Sequence, residues 1–174
     1  MLQNYNRYKI LQEFFNFPTY GFLIRELSRK TKISQPSVIN HLKFLLKEDL
    51  IIKQKAKPYP LFKANRENKV FKILKVFNIT LRIKTSGLLD YIWNKTFPNV
   101  IVLFGSCAKG EDIESSDIDL FIQAKEKNLI LDKYERSLNR KISPFFKENF
   151  LRFPKELKNN ITNGIILKGY LKVF

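Results

Sequence analysis

VIVLFGSCAKGEDIESSDIDLFI, residues 100–122, holds two short apolar runs on either side of a polar loop. Val100 to Phe104 is five apolar residues long and stops abruptly at Gly105-Ser106, the pattern of a buried strand running into a sharp turn. Cys107-Ala108-Lys109-Gly110 fits a short helix, residues 111–116 an acidic loop, and residues 117–122 a second strand. Strand residues two apart share a face, so the carboxylates of Asp117 and Asp119 project together. Like charges side by side are costly unless a cation lies between them, which points to a divalent metal. Mg²⁺ keeps several waters and borrows phosphate oxygens, so the pair suits phosphoryl or nucleotidyl transfer better than hydrolysis of a neutral substrate. Gly105 lets the backbone approach a ligand closely, and Ser106 offers a hydroxyl and N–H groups to a triphosphate.

The residues GSCAKGEDIESSDID resemble the nucleotidyltransferase superfamily of DNA polymerase beta, in particular its minimal members. The signature of that family is Gly-Ser, ten residues, then Asp-x-Asp, and residues 107–116 supply the interval here. Ala108, Gly110 and Ser116 agree as well, and the resemblance covers residues 99–170. It implies that Asp117 and Asp119 are the catalytic carboxylates and hold Mg²⁺, and that Gly105, Ser106 and Lys109 face a nucleoside triphosphate, ATP. One departure stands out. Active members carry a third carboxylate on the strand after the next helix, where it completes the metal site and helps deprotonate the attacking hydroxyl. Here the helix spans residues 128–139 and the strand residues 141–146, KISPFF, with Ser143 where an Asp is expected. A hydroxyl is a poor metal ligand and no general base. Glu148 could replace it only if the chain curled back.

The N-terminal half reads differently. Tyr8, Leu11, Phe14 and Phe15 fall at helical spacing and stop near Pro18 and Gly21. A second short helix covers residues 23–31, and a turn, Thr31-Lys32-Ile33, leads to Ser34, a candidate N-cap, with Pro36 in the first turn of a third helix. Val38, Leu42, Leu45 and Leu46 bury that helix, and Gln35, Ser37 and Asn40 point outward with Lys43 and Lys47 behind them, a helix-turn-helix arrangement that sets polar side chains at base edges and ammonium groups at phosphates. Residues 50–57 and 59–63 read as two strands about Lys57-Pro58, with Lys53, Lys55 and Lys57 forming one basic row. The sequence LIRELSRKTKISQPSVINHLKFLLKEDLIIKQKAKPYPLFKAN, residues 23–65, resembles the winged helix-turn-helix family, within a match spanning residues 5–65. The resemblance implies duplex DNA as partner. His41 reads as a partly buried residue bordering the core.

Helical spacing returns over residues 65–93, with a break expected near Asn78 or at Ser86-Gly87. The fold expected is therefore α+β: a winged helix-turn-helix of three helices and a β-wing in residues 1–65, a helical linker in 66–97, and a small mixed-sheet nucleotidyltransferase-like domain in 98–174. Charge divides the same way. The chain carries 32 Lys+Arg against 16 Asp+Glu, and residues 1–97 hold 19 and 6 of them. Such an imbalance fits a polyanion-binding module beside a more neutral one. With 44% hydrophobic residues the chain has material for real cores, so wholesale disorder is excluded. One Cys and one His exclude disulfide scaffolds and Cys/His zinc sites. No apolar run approaches the roughly 18 residues of a membrane span, and residues 1–9 lack a signal-peptide core, so the expected location is cytoplasmic, without membrane contact.

Ahead of a template-free nucleotide-adding enzyme that would use the same motif and clamp nucleic acid with the basic half, two functions follow as expectations. In one, the second domain transfers a nucleotide to a protein: family resemblance implies AMPylation of a HEPN-type partner, as in antitoxins, with the DNA-binding half serving autoregulation. In the other, a regulator uses a degenerate nucleotidyltransferase domain to sense nucleotide or to dimerise. A palindromic DNA site would imply a homodimer, although no dimer seam is legible in the sequence.

Overall fold

The computed structural model describes residues 5–150 and 153–172. The chain divides into two compact units, Met1–Lys75 and Val76–Phe174.

In the first unit, α1 (Asn6–Asn16), α2 (Ile24–Thr31) and α3 (Gln35–Lys47) precede a hairpin of β1 (Ile51–Gln54) and β2 (Leu61–Ala64). Apolar residues at three- and four-residue spacing turn inward: Ile10, Leu11, Phe14 and Phe15 from α1, Leu27 from α2, and Val38, Leu42 and Leu45 from α3. Each such buried side chain contributes about 1.5–3 kcal/mol relative to exposure. The turn between α2 and α3 is set by Lys32 in the left-handed region (φ 57°) and by the Ser28 hydroxyl, which donates to the Ile33 carbonyl at 2.6 Å. Ser34 occupies the N-cap position, its carbonyl accepting the Val38 N–H at 2.9 Å, but its side chain makes no cap hydrogen bond. Proline in the first turn removes one of the N–H groups that a capping oxygen would take.

The wing differs from expectation. Its strands end at Gln54 and begin again at Leu61, so Lys53 lies on β1 while Lys55 and Lys57 belong to the loop of residues 55–60. The single basic row therefore does not form, because period-two alternation governs only the paired residues. Phe22 adds an isolated bridge to the hairpin that sequence pattern missed. It bridges Phe62 through two backbone hydrogen bonds of 2.8 and 2.9 Å, and its ring meets Phe14 edge-on at 5.3 Å.

The stretch read as a linker is shared out between the units. Helix α4 (Lys69–Thr85) buries Phe71 in the first core and Ile79 and Ile83 in the second; α5 (Leu88–Thr96) buries Leu88, Leu89 and Ile92. The break falls at Ser86-Gly87, where Gly87 takes φ 78°, and Asn78 stays within the helix.

The second unit continues with β3 (Val100–Phe104), α6 (Gly105–Lys109), β4 (Ile118–Ile122), α7 (Asp132–Leu138), β5 (Ile142–Phe146), α8 (Lys155–Thr162) and β6 (Ile165–Gly169). Its sheet has the order β5-β4-β3-β6, antiparallel except between β4 and β5. One face buries Ile101, Leu103, Ile118, Leu120 and Ile122 with α5 and α7; the other sets Val100, Val102 and Phe121 against Phe150 and Ile161. Strand β5 is an edge and carries Pro144, whose missing N–H is tolerated only there. The Ile142 N–H on the same strand donates to the Glu135 carboxylate at 2.9 Å. Among the described residues, no helix is long and apolar enough to cross a membrane.

Candidate functional site

Strand β3 delivers the chain to Gly105 at the point where Phe104 pairs with Asp119 of β4, so the Gly-Ser turn and the acid pair are brought together by sheet register. Gly105 sits at φ 71°, and a Cβ there would run into Oδ2 of Asp119. Both facts require glycine: the backbone conformation disfavours a side chain, and the space already belongs to a carboxylate. Asp119 is half-buried on β4, and Asp117, immediately before the strand, is exposed. Burial, and secondarily the neighbouring charge of Asp117, raise the Asp119 carboxyl above its ordinary 3.8. Ser106 is half-buried in the first turn of α6, and Lys109 is exposed in its last turn.

The loop between α6 and β4 is pinned from beneath. Asp112 and Arg140 pair at 3.5 Å with side chains 8% and 6% exposed, tying that loop to the residues that enter β5. The Cys107 thiol donates to the Asp117 carbonyl at 3.3 Å, and the Ile113 N–H donates to the Ser116 hydroxyl at 2.9 Å. The sequence reading missed the Asp112–Arg140 pair; no periodicity links positions so far apart, and only the rarity of fully buried Asp and Arg distinguishes them.

Ser143 stands on β5 directly across from Asp119. Ser143, at the position where the family resemblance leads one to expect a third carboxylate, offers a hydroxyl beside Asp119. Glu148 does not replace it: β5 runs parallel to β4, which carries Glu148 past the far end of the sheet, where its carbonyl accepts from the Gln123 side chain at 3.1 Å. Among the described residues, no group of three or more His, Cys, Asp or Glu is placed to hold a metal ion. The two carboxylates, one of them cradled by a glycine, fit a Mg²⁺ ion that takes its remaining ligands from water and phosphate oxygens.

In the first unit, Gln35, Asn40 and Lys43 of α3 are exposed and Ser37 is half-buried. Asn40 and Lys43, three apart, share one face. Gln35 instead lines a cavity of about 230 Å³ with Leu23, Ile24, Arg25, Ile39, Tyr59 and Pro60. Lys53, Lys55 and Lys57 are all exposed, although only Lys53 is on a strand. Arg25 and Tyr59, which the sequence reading gave no role, come together at the wing tip with the guanidinium 5.8 Å from the ring centre. The signal available for Tyr59 is its place between two prolines, Pro58 and Pro60, at the start of the stretch expected as the second strand. His41 is half-buried, and desolvation, followed by the charge of Arg7, lowers its pKa below 6.5.

Comparison with known proteins finds one family match in each unit. Residues 88–170 match the family described as Polymerase beta, Nucleotidyltransferase, and residues 23–53 match the family described as Bacterial regulatory protein, arsR family. A region of 132 residues, 68% of this chain, is 29% identical to the Ras guanine nucleotide exchange factor R of Dictyostelium discoideum and spans 8% of that protein. No solved structure matches the chain significantly. The Gly-Ser turn facing an acid pair in the second unit, and the winged three-helix arrangement in the first, are what make residues 88–170 similar to the polymerase beta nucleotidyltransferases and residues 23–53 similar to the helix-turn-helix of the arsR family.

Proposed function

We propose that the chain is a duplex-DNA-binding regulator whose second domain binds Mg²⁺ with a nucleoside triphosphate, ATP, as a ligand that is sensed rather than consumed. The observation that carries this reading is Ser143 in register with Asp119. Nucleotidyl transfer needs the attacking hydroxyl to lose its proton, and a serine hydroxyl cannot accept one at neutral pH. Asp117 and Asp119 hold the metal, which supplies charge neutralisation to the phosphates; Gly105, Ser106 and Lys109 face the triphosphate. In the first domain Gln35, Ser37 and Asn40 approach base edges, and Lys43, Lys53, Lys55 and Lys57 meet phosphates.

A second reading, transfer of AMP to a HEPN-type protein partner in an antitoxin-like system, is supported by the glycine cradle kept around Asp119. Calorimetric titration of Mg-ATP into the wild type and into Asp117→Ala/Asp119→Ala, with labelled ATP incubated alongside a candidate partner, separates the two. Metal-dependent binding that the double variant loses, without label transfer, is the expected outcome. Label transfer above the variant's background would replace sensing by catalysis, and absence of binding to the wild type would remove the nucleotide site.

A further inference from the structure

At the end of the second unit's sheet remote from the acid pair, three lysines gather on a strip of aromatic rings. Lys95 on α5 lies with its ammonium 5.6 Å from the Tyr91 ring centre and 3.4 Å from the Tyr91 hydroxyl. Lys133 on α7 approaches the same ring at 6.0 Å and the Tyr134 ring at 4.6 Å. Lys127, from the segment after β4, stands 5.6 Å from the Phe97 ring centre and donates to the Lys95 carbonyl at 2.8 Å. The Tyr91 hydroxyl also accepts the Ile130 N–H at 2.8 Å, which fastens the segment to α5. Among the described residues, none of the three ammonium groups pairs with a carboxylate. The acids in the neighbourhood are Asp90, which pairs with Lys168 at 2.7 Å, and Glu126 and Asp132, which adjoin Lys127 and Lys133 in the chain.

Phe97 is the odd member. The residue is 77% exposed, and its backbone lies in the left-handed region at φ 49°, a conformation that a bulky residue rarely adopts. The turn into β3 thus holds a large flat ring out in water beside a cation. Unneutralised ammonium groups beside such a ring match a ligand with closely spaced anions and flat faces. We propose that this surface, Tyr91, Lys95, Phe97, Lys127 and Lys133, binds single-stranded nucleic acid, with phosphates on the lysines and a base stacked on Phe97. A duplex hides its base faces and could use only the lysines; an acidic peptide likewise has no use for the exposed ring. The surface is separate from the acid pair, because β3 carries the chain about 13 Å from Val100, beside this strip, to Phe104, beside Asp119.

The test is fluorescence anisotropy of the full chain with a labelled oligothymidylate of about 20 nucleotides, longer than a single binding site, read across a salt series. Four proteins are compared: wild type, Lys95→Gln/Lys127→Gln/Lys133→Gln, Phe97→Ser, and Lys43→Gln/Lys53→Gln as a control for the basic winged helix. The lysine triple variant should bind at least tenfold more weakly, with a salt slope reduced by about 2, at roughly 0.7 for each phosphate no longer neutralised. Phe97→Ser should weaken binding about tenfold and leave the slope unchanged, and the winged-helix control should bind as wild type. Lys43, Lys53, Phe97, Lys127 and Lys133 are exposed and Lys95 is half-buried, and unchanged thermal unfolding verifies the folds. Absence of single-strand binding by wild type overturns the proposal. So does loss confined to the winged-helix control. Equal binding of polyglutamate, with Phe97→Ser indifferent, would reduce the strip to a general polyanion surface and overturn it as well.

Discussion

Gly105 has the least latitude of any residue in the site. Gly105→Ala combines a disfavoured positive φ with a collision at Asp119, and should cost about 1–3 kcal/mol of stability while displacing the carboxylate. Chemical denaturation together with Mg-ATP titration checks both effects. Asp119 works in the opposite sense. Its raised pKa means that the folded state binds the proton more tightly than the unfolded chain, so this group's contribution to stability falls as pH rises through and above 3.8. Asp119→Asn should therefore raise the melting temperature of the ligand-free protein at neutral pH while abolishing the further rise given by Mg-ATP. His41 has a depressed pKa; the stability it allows is full above 6.5 and is lost as pH falls through its lower folded value. His41→Gln should flatten the stability profile on the acid side of pH 6.5, measured by denaturant midpoints. The meeting of Gly105 with Asp119 in the candidate site is legible in the sequence because the Gly-Ser turn and the acid pair lie within fifteen consecutive residues, 105–119, and a fixed interval along the chain is visible without coordinates. Ser143 was legible for a related reason: a strand follows a helix, and register places it.

At the scale of elements, buried surface separates what could be read from what could not. The three helices of the first unit were visible through their apolar spacing, and Leu42→Ala on α3, with Leu42 1% exposed, should cost about 2–5 kcal/mol by equilibrium unfolding. The wing was overextended because Lys53, Lys55 and Lys57 imitate strand alternation, whereas pairing ends at Gln54. Phe22 was missed because a lone bridging residue has no period. The Asp112–Arg140 pair belongs to the same class of hidden contact. Arg140→Met leaves Asp112 buried beside an apolar side chain and should cost about 3–5 kcal/mol, whereas combining it with Asp112→Leu should recover much of that; denaturation of the single and double variants measures the difference.

For the whole molecule, charge and cores separate the functions. The basic excess accompanies the helix-turn-helix, the acid pair accompanies the mixed sheet, and each unit has its own buried cluster. Asp117→Ala/Asp119→Ala should therefore leave duplex-DNA affinity and its salt slope within about twofold of wild type, while Lys53→Ala should lower that slope by about 0.9, consistent with one phosphate contact. Filter binding over a salt series distinguishes these outcomes. The stretch expected as a helical linker contributes to both cores: Phe71 packs in the first, and Ile79, Ile83, Leu88 and Ile92 pack in the second. The edge strand β5 also governs how copies of this chain behave at high concentration. On its outer side the Ile142 N–H is already engaged by Glu135, and Pro144 has no N–H to give, so a strand from a neighbouring molecule finds few donors along which to zip. An open sheet is in this way closed to self-templating growth on that flank, and Pro144→Val with Glu135→Ala should open it, seen as faster fibril seeding than by wild type at equal concentration.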